Sequence, residues 1–195
     1  TYSNDIQNSI DNTVIFDNEY QVYTRYEMSN FSVYIEDLDT TSAIFNYSQQ
    51  GHVVALNFAN YLNPGGGFMI GANAQEECLC AESTLYPVLC SFYDTYYERH
   101  KSEVYKQMTT GYYFGGDDMM YHNDIIFERN GNTTKADIIT AAAPICETDD
   151  KEDFYIQRLY LRIKKILEIS GMRNCKTLIL GAFGCGAFRN DPCLV

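Results

Sequence analysis

Three stretches of this chain are apolar at nearly every position, and each has the length of a strand. Val53–Phe58 (VVALNF), Ala136–Ala143 (ADIITAAA) and Thr177–Leu180 (TLIL) hold few polar residues. Strands covered on both faces have that pattern, whereas half-exposed strands alternate. Phe31–Ile35 (FSVYI) alternates and predicts a first strand; Met119–Glu128 predicts another, followed by a turn at Asn130-Gly131-Asn132. Helical spacing is clearest from Glu152 to Ser170. There Ile156, Leu159, Tyr160, Ile163, Ile166 and Leu167 recur on one side, while Arg158, Arg162, Lys164 and Lys165 lie mostly on the other and read as a solvated face. Shorter helices are predicted from Thr40 to Gln49, capped by Asp39, and from Ala74 until Tyr86-Pro87 interrupts it. Another follows through Leu89, Phe92 and Tyr96, and Lys106–Asp118 reads as loop. Residues 1–30 have weak periodicity and read as an N-terminal extension ahead of one domain over 31–195.

Strands alternating with helices predict an α/β fold, a mixed and largely parallel sheet between helical layers. In such sheets ligands collect at the carboxyl ends of the strands. Two glycine loops follow directly on apolar strands: Asn63-Pro64-Gly65-Gly66-Gly67 after Val53–Phe58, and Gly181–Phe188 (GAFGCGAF) after Thr177–Leu180. Both are therefore expected on one edge. Glycines let the backbone approach a ligand closely, although each loop read alone is equally a tight turn.

Glu76-Glu77 opens the helix after the first loop. Acidic residues there also offset the helix dipole. Neighbouring helical residues point roughly 100° apart, so the two cannot face each other across a bond. At most one transfers a proton while the other holds substrate. Neither loop continues into the Gly-Lys-Ser/Thr of a nucleotide-binding P-loop, and no GxSxG elbow is present. Cys185, with no histidine near it in sequence, reads as a packing residue; His52 and His122 abut strands and read as structural.

Composition narrows the partners. The 195 residues are 46% hydrophobic and 21% charged, enough for one domain with a real core. A net charge of −12 argues against duplex nucleic acid as a partner. Phosphate would have to be met locally, by backbone N–H groups. The seven cysteines are scattered, and Cys78, Cys80, Cys146 and Cys185 sit in or beside apolar segments. Reduced thiols in a cytoplasmic protein, with no metal site and no cofactor, are the reading. No apolar run reaches the roughly 20 residues that span a bilayer. Asn190-Asp191-Pro192 reads as an N-cap with proline at the first helical position, and the sequence stops three residues later. It therefore reads as truncated, lacking a C-terminal helix.

The combination of motifs is more specific than its parts. Asn-Pro-Gly-Gly-Gly, then Gly-Ala-x-Ala-Gln-Glu-Glu, then Ser-Thr-Leu-Tyr resembles the signature of the bacterial-type poly(ADP-ribose) glycohydrolases, a catalytic branch of the macrodomain fold. The segment Leu-Ile-Leu-Gly-Ala-Phe-Gly-Cys-Gly-Ala-Phe-Arg-Asn-Asp-Pro is similar to that family's second ligand loop. The resemblance covers residues 31–195 and implies a macrodomain-like fold that lacks its last helix and strand. It implies hydrolysis of the ribose–ribose O-glycosidic bonds of poly(ADP-ribose), on polymer or ADP-ribosylated proteins, by a monomer that also binds ADP-ribose. Glu77 would be the catalytic acid/base, and Glu76 would hydrogen-bond ribose hydroxyls. Gly65, Gly66 and Gly67 would surround the distal ribose and diphosphate. Gly184, Cys185, Gly186 and Ala187 would bind the diphosphate through backbone amides, and Phe188 would pack on the distal ribose. Asn60 and Gln75 would be supports. Arg189 stands where the family more often has glycine. Two alternatives stay open: an ADP-ribose-binding module without catalysis, and a hydrolase of other ADP-ribose derivatives.

Overall fold

Burial on both faces accounts for two of the three apolar stretches, Val53–Phe58 and Ala136–Ala143. Thr177–Ile179 is half-buried throughout because it is an edge strand of the sheet, and Leu180 is exposed. A computed structural model describes residues 2–17, 31–108, 116–145, 152–193 and 195. Cys146 and the 109–115 part of the predicted loop lie outside the described residues. Among the described residues five strands form one sheet: β1 (Val14–Phe16), β2 (Val53–Phe58), β3 (Met119–Arg129), β4 (Asn132–Ala141) and β5 (Thr177–Ile179), in the order β1-β3-β4-β2-β5. β2 pairs in parallel with both β4 and β5, while β3 pairs antiparallel with β1 and β4. The sheet is therefore mixed. The β3–β4 hairpin closes at Asn130 (φ 53°) and Gly131 (φ 75°), left-handed at both positions as a tight hairpin requires.

The helices are α1 (Ser3–Asp11), α2 (Thr40–Ser48), α3 (Gln75–Ala81), α4 (Leu85–Cys90), α5 (Glu98–Met108) and α6 (Glu152–Met172). A 3₁₀ turn at Phe68–Ile70 and a π-helical turn at Tyr93–Tyr97 complete them. Alternation along β2 sorts the core into two layers. Val53 and Ala55 pack with Ile138, Met120, Leu79, Leu85 and Leu89 on one face. Val54 and Leu56 pack with Ile139, Tyr121, Tyr155, Leu159 and Ile169 on the other, beneath α6. Among the described residues no helix is long and apolar enough to cross a membrane.

Several sequence expectations change, among them the start of the loop read over Lys106–Asp118, whose first three residues continue α5 to Met108. Residues 3–16, read as part of a weakly patterned extension, contain α1 and the edge strand β1; a three-residue strand is too short to show a period, and the free edge of β3 supplies its partner. Residues 31–39 form no strand, and Val33 and Ile35 are exposed, because an alternating pattern has no effect without an edge to join. The chain breaks between α3 and α4 before Tyr86-Pro87; Pro87 sits in the first turn of α4, where its missing N–H costs nothing.

The largest change concerns α6. Its inward face is Tyr155, Leu159, Arg162, Ile166 and Ile169, one position off the predicted stripe, and Tyr160 and Leu167 are exposed. Arg162, expected in solvent, is 2% exposed. Its Nε donates to Asp117 (2.8 Å) and its guanidinium to the Ala142 carbonyl (2.7 Å). Arg158 also pairs with Asp117, and Lys165 donates to the Phe16 and Asp117 carbonyls. The basic face thus anchors α6 to the start of β3 and the end of β4. Gly171 lies inside the helix, which runs to Met172.

Candidate active site

The parallel pairing of β5 on β2 puts both glycine loops at one sheet edge. They converge there through aromatic contacts. Phe58 at the end of β2 meets Phe183 (centroids 6.0 Å apart), and Tyr61 meets Phe188 (5.5 Å).

The first loop is held by its own backbone and by α3. Asn60 Oδ1 accepts from the Leu62 and Asn63 amides (2.8 and 3.0 Å), turning the chain out of β2. Gln75 clamps the strand end: its Oε1 accepts from the Phe58 amide (2.9 Å) and its Nε2 donates to the Leu56 carbonyl (2.8 Å) and Thr40 (3.1 Å). With these atoms engaged, Gln75 is a support.

The two glutamates share one space beneath Gly66. Glu76 Oε2 accepts from the Asn60 amide (2.7 Å) and Oε1 from Asn57 Nδ2 (3.2 Å). Glu77 Oε1 accepts from the Gly67 amide (2.8 Å) and Oε2 from the Ala74 amide (3.1 Å), which it reaches back to cap. A Cβ on Gly66 would overlap Glu77 Oε1 and lie 3.1 Å from Glu76 Oε2. Gly66 (φ 57°) and Gly65 (φ 68°) are also left-handed, so this layer of the loop demands glycine twice over. On Gly65 a Cβ would sit 2.7 Å from the Tyr86 ring, and on Gly67, 2.6 Å from Ala72 Cβ.

Burial acts strongly on this pair. Glu76 is 3% exposed against 9% for Glu77, so Glu77 is the more accessible of the two. Desolvation pushes the Glu76 carboxyl up to about 8; the Asn60 and Gly65 amides and the Asn57 side chain oppose that shift, and the Glu77 charge adds to it. At neutral pH the pair therefore keeps a proton in the site. A carboxylate oxygen that accepts one hydrogen bond retains a second lone pair, so each glutamate still has capacity for a ligand hydroxyl.

In the second loop, Gly184 (φ 82°) must be glycine, since a Cβ would overlap the Asn190 amide and lie 2.6 Å from Ala143 Cβ. Asn190 is buried and donates to the Pro144 carbonyl (3.0 Å), while its own amide donates to Gly184 O (3.1 Å). It locks the loop; the cap-like role falls to Asp191, which accepts from the Cys193 amide (2.9 Å). The Cys185 amide donates to Ala182 O (3.1 Å) and is engaged within the turn. Gly186 and Ala187 are exposed, with open space around Gly186. The Cys185 thiol is pushed up by burial, away from nucleophilic character. Arg189, where the resembling family more often has glycine, is left-handed (φ 56°). That backbone conformation is one that glycine adopts without strain.

Sequence reading missed two residues that shape the site. Asn57 is fully buried and holds Glu76; the available signal was one polar residue inside the apolar run VVALNF. Tyr61, beneath Phe188, carried no signal beyond being aromatic next to a loop.

Comparison with known proteins gives a consistent picture. Residues 1–130 match the family model described as the microbial-type PARG catalytic domain, a match that includes the first loop and both glutamates. Poly(ADP-ribose) glycohydrolase (PARG) from Thermomonospora curvata shares the fold, with a TM-score of 0.84 at 23% identity over 99% of this chain and 74% of that one. The same enzyme bound to the inhibitor ADP-HPD gives 0.83 at 23% identity, over 99% of this chain and 73% of that one. The Deinococcus radiodurans enzyme in complex with ADP-ribose gives 0.80 at 26% identity, over 97% of this chain and 80% of that one. Among curated proteins, none matches.

Proposed function

The chain belongs to the microbial-type PARG catalytic-domain family, and from that premise we propose that it hydrolyses the ribose–ribose O-glycosidic bonds of poly(ADP-ribose) with Glu77 as the proton-transferring residue. The observation that carries this reading is the Glu77 carboxylate, fixed by the Gly67 and Ala74 amides under the glycine layer. It is the more accessible member of a pair that retains a proton at neutral pH.

In the reaction, the glycosidic C–O bond breaks as the proton of the pair, held on Glu76 at the start, passes through Glu77 to the departing ribose oxygen. The electron pair leaves with that oxygen, and positive charge develops at the anomeric carbon as an oxocarbenium-like centre. Water then attacks this carbon, and its proton returns through the Glu77 carboxylate to the pair, which regains its starting state with one proton. Glu76 orients the ribose hydroxyls through its remaining lone pairs. ADP-ribose, which the Deinococcus structure holds, is the product to be bound. Its diphosphate would meet the backbone of Gly184, Gly186 and Ala187; the Cys185 amide, already bonded within the turn, contributes less. Phe188, packed on Tyr61, would back the distal ribose.

Glu77→Gln tests the assignment. Polymer is incubated with wild type and variant, released ADP-ribose is followed, and ADP-ribose binding is measured by calorimetry. The expected outcome is loss of release with binding retained. Turnover surviving in the variant would refute the role of Glu77. Binding by wild type without release would favour a reader of ADP-ribose.

A further inference from the structure

A line of polar side chains crosses the apolar face of the sheet that packs under α3 and α4, and it ends on Glu76. Asn57 on β2, Thr140 on β4 and His122 on β3 are each 0% exposed. Asn57 and Thr140 are register partners, and His122 lies one pair along, opposite Ile138. Asn57 Nδ2 contacts Glu76 Oε1 (3.2 Å) and Thr140 Oγ1 (3.4 Å). Thr140 Oγ1 contacts His122 Nε2 (3.0 Å), His122 Nδ1 contacts Thr13 Oγ1 (3.0 Å), and Thr13 Oγ1 donates to the Ser9 carbonyl (2.8 Å). Three buried polar groups in an otherwise apolar layer are costly unless their hydrogen bonds are made.

The direction of every bond in this line follows from its far end. The Ser9 carbonyl only accepts, so the Thr13 hydroxyl spends its hydrogen there. His122 must then donate from Nδ1 to Thr13. Burial holds its ring neutral, lowering its titration to about 3, so Nε2 is left as an acceptor. Thr140 therefore donates to Nε2 and has only lone pairs to offer Asn57. An amide oxygen turned toward Thr140 would face a lone pair with no hydrogen between them. The amide nitrogen is thus forced toward both Thr140 and Glu76. In that orientation Asn57 Oδ1 is buried with no hydrogen-bond partner among the described residues. The amide is held in an orientation that leaves its own oxygen unsatisfied.

We propose that Thr140 and His122 are positioning residues for the glutamate pair, because through them the Ser9 carbonyl dictates that Asn57 presents N–H, and not C=O, to Glu76. The consequence is a carboxyl that meets a donor from the strand side as well as from the Asn60 amide, which favours its ionised form and fixes its rotamer. Thr140→Val releases the constraint. Asn57 is then free to turn its oxygen to a protonated Glu76, and the carboxyl holds its proton to higher pH. The other groups facing Glu76 are Glu77 on its own helix, the Gly65 amide from the loop, Cys80 one turn along, and Tyr96 and Tyr97 from the π-helical turn. None of these changes in the variant.

This inference rests on the proposed role of the pair, and its test separates the two. Glu76 is titrated by carboxyl carbon NMR in full-length wild type, Thr140→Val, Thr140→Ser and Thr13→Val, and kcat and KM on poly(ADP-ribose) are measured in parallel. For Thr140→Val the expected result is an upward move of the Glu76 midpoint and a kcat about tenfold lower, with KM changed less than about threefold. Thr140→Ser returns the hydroxyl and with it most of both values. Thr13→Val, at the half-exposed end of the line, moves both in the same direction by less. An unmoved midpoint in Thr140→Val, or equal damage in Thr140→Ser, overturns the proposal. If Thr140→Val does not fold, an unmoved midpoint in Thr13→Val overturns it instead. Wild type without turnover would defeat the functional reading, while the titration would still decide the relay.

Discussion

Gly66→Ala is the sharpest perturbation of the loop that covers the glutamates. Two costs combine at this position. The backbone is left-handed (φ 57°), which disfavours an alanine by about 1–2 kcal/mol. The new methyl would overlap Glu77 Oε1, so the carboxylate must leave the Gly67 amide that it accepts from at 2.8 Å. Losing a hydrogen bond to a charged group costs about 1.5–3 kcal/mol. Together the substitution removes about 2.5–5 kcal/mol, which for a chain of this length lowers the melting temperature by about 5–20 °C. Activity should fall further than stability suggests, because a displacement of about 1 Å at the proposed proton-transferring group costs roughly 10²-fold in rate. Gly71→Ala supplies the control. Gly71 is also left-handed (φ 80°), but nothing lies within 4 Å of its Cβ position, so only the backbone strain of about 1–2 kcal/mol applies. Both variants are followed by thermal unfolding and by ADP-ribose release at a temperature where both are folded. Equal rate losses in the two variants, or wild-type turnover in Gly66→Ala, would refute the argument that Gly66 sets the position of Glu77.

Arg162→Ala should destabilise the protein by about 3–5 kcal/mol in urea unfolding, because it removes two hydrogen bonds of a buried guanidinium, to Asp117 and to the Ala142 carbonyl, each worth about 1.5–3 kcal/mol. Arg158→Ala, whose side chain is 35% exposed, should cost about 1 kcal/mol or less. Glu76 makes a pH-dependent contribution of definite sign. Its folded-state midpoint of about 8 lies above the ordinary glutamate value of 4.5, so the folded form binds the extra proton and stability falls as pH rises through that window. Melting temperatures from pH 5 to pH 9 should therefore decline more steeply in wild type than in Glu76→Gln, and parallel slopes would count against a proton held on Glu76. Arg189→Gly relieves a left-handed residue; after the unfolded-chain entropy of glycine is subtracted, it should stabilise by roughly 0.5–1 kcal/mol, read as a melting temperature raised by a few degrees.

Sequence alone determined the parts of this protein whose physics is local. The runs at Val53–Phe58 and in β4 are strands because their side chains suit burial on both faces, and Asn130-Gly131 can adopt the left-handed pair that a tight hairpin needs. Asp39 caps α2, accepting from the Ser42 amide at 2.9 Å, as its position before Thr40 indicates. The glycine triplet and Gln75-Glu76-Glu77 marked the proposed site by their spacing. Tertiary structure decided everything that depends on a partner distant in sequence. Phe31–Ile35 has strand propensity but no edge to join, whereas Val14–Phe16 has almost no pattern and does have one. Arg162 is turned inward because Asp117 and Ala142 wait there, a pairing no periodicity can encode. The different surroundings of Glu76 and Glu77 are likewise invisible in two adjacent letters. One carboxyl is buried against Asn57 and the Asn60 amide, and the other, beneath Gly66, is the more accessible, because the end of β2 and the loop after it close over them in one particular way.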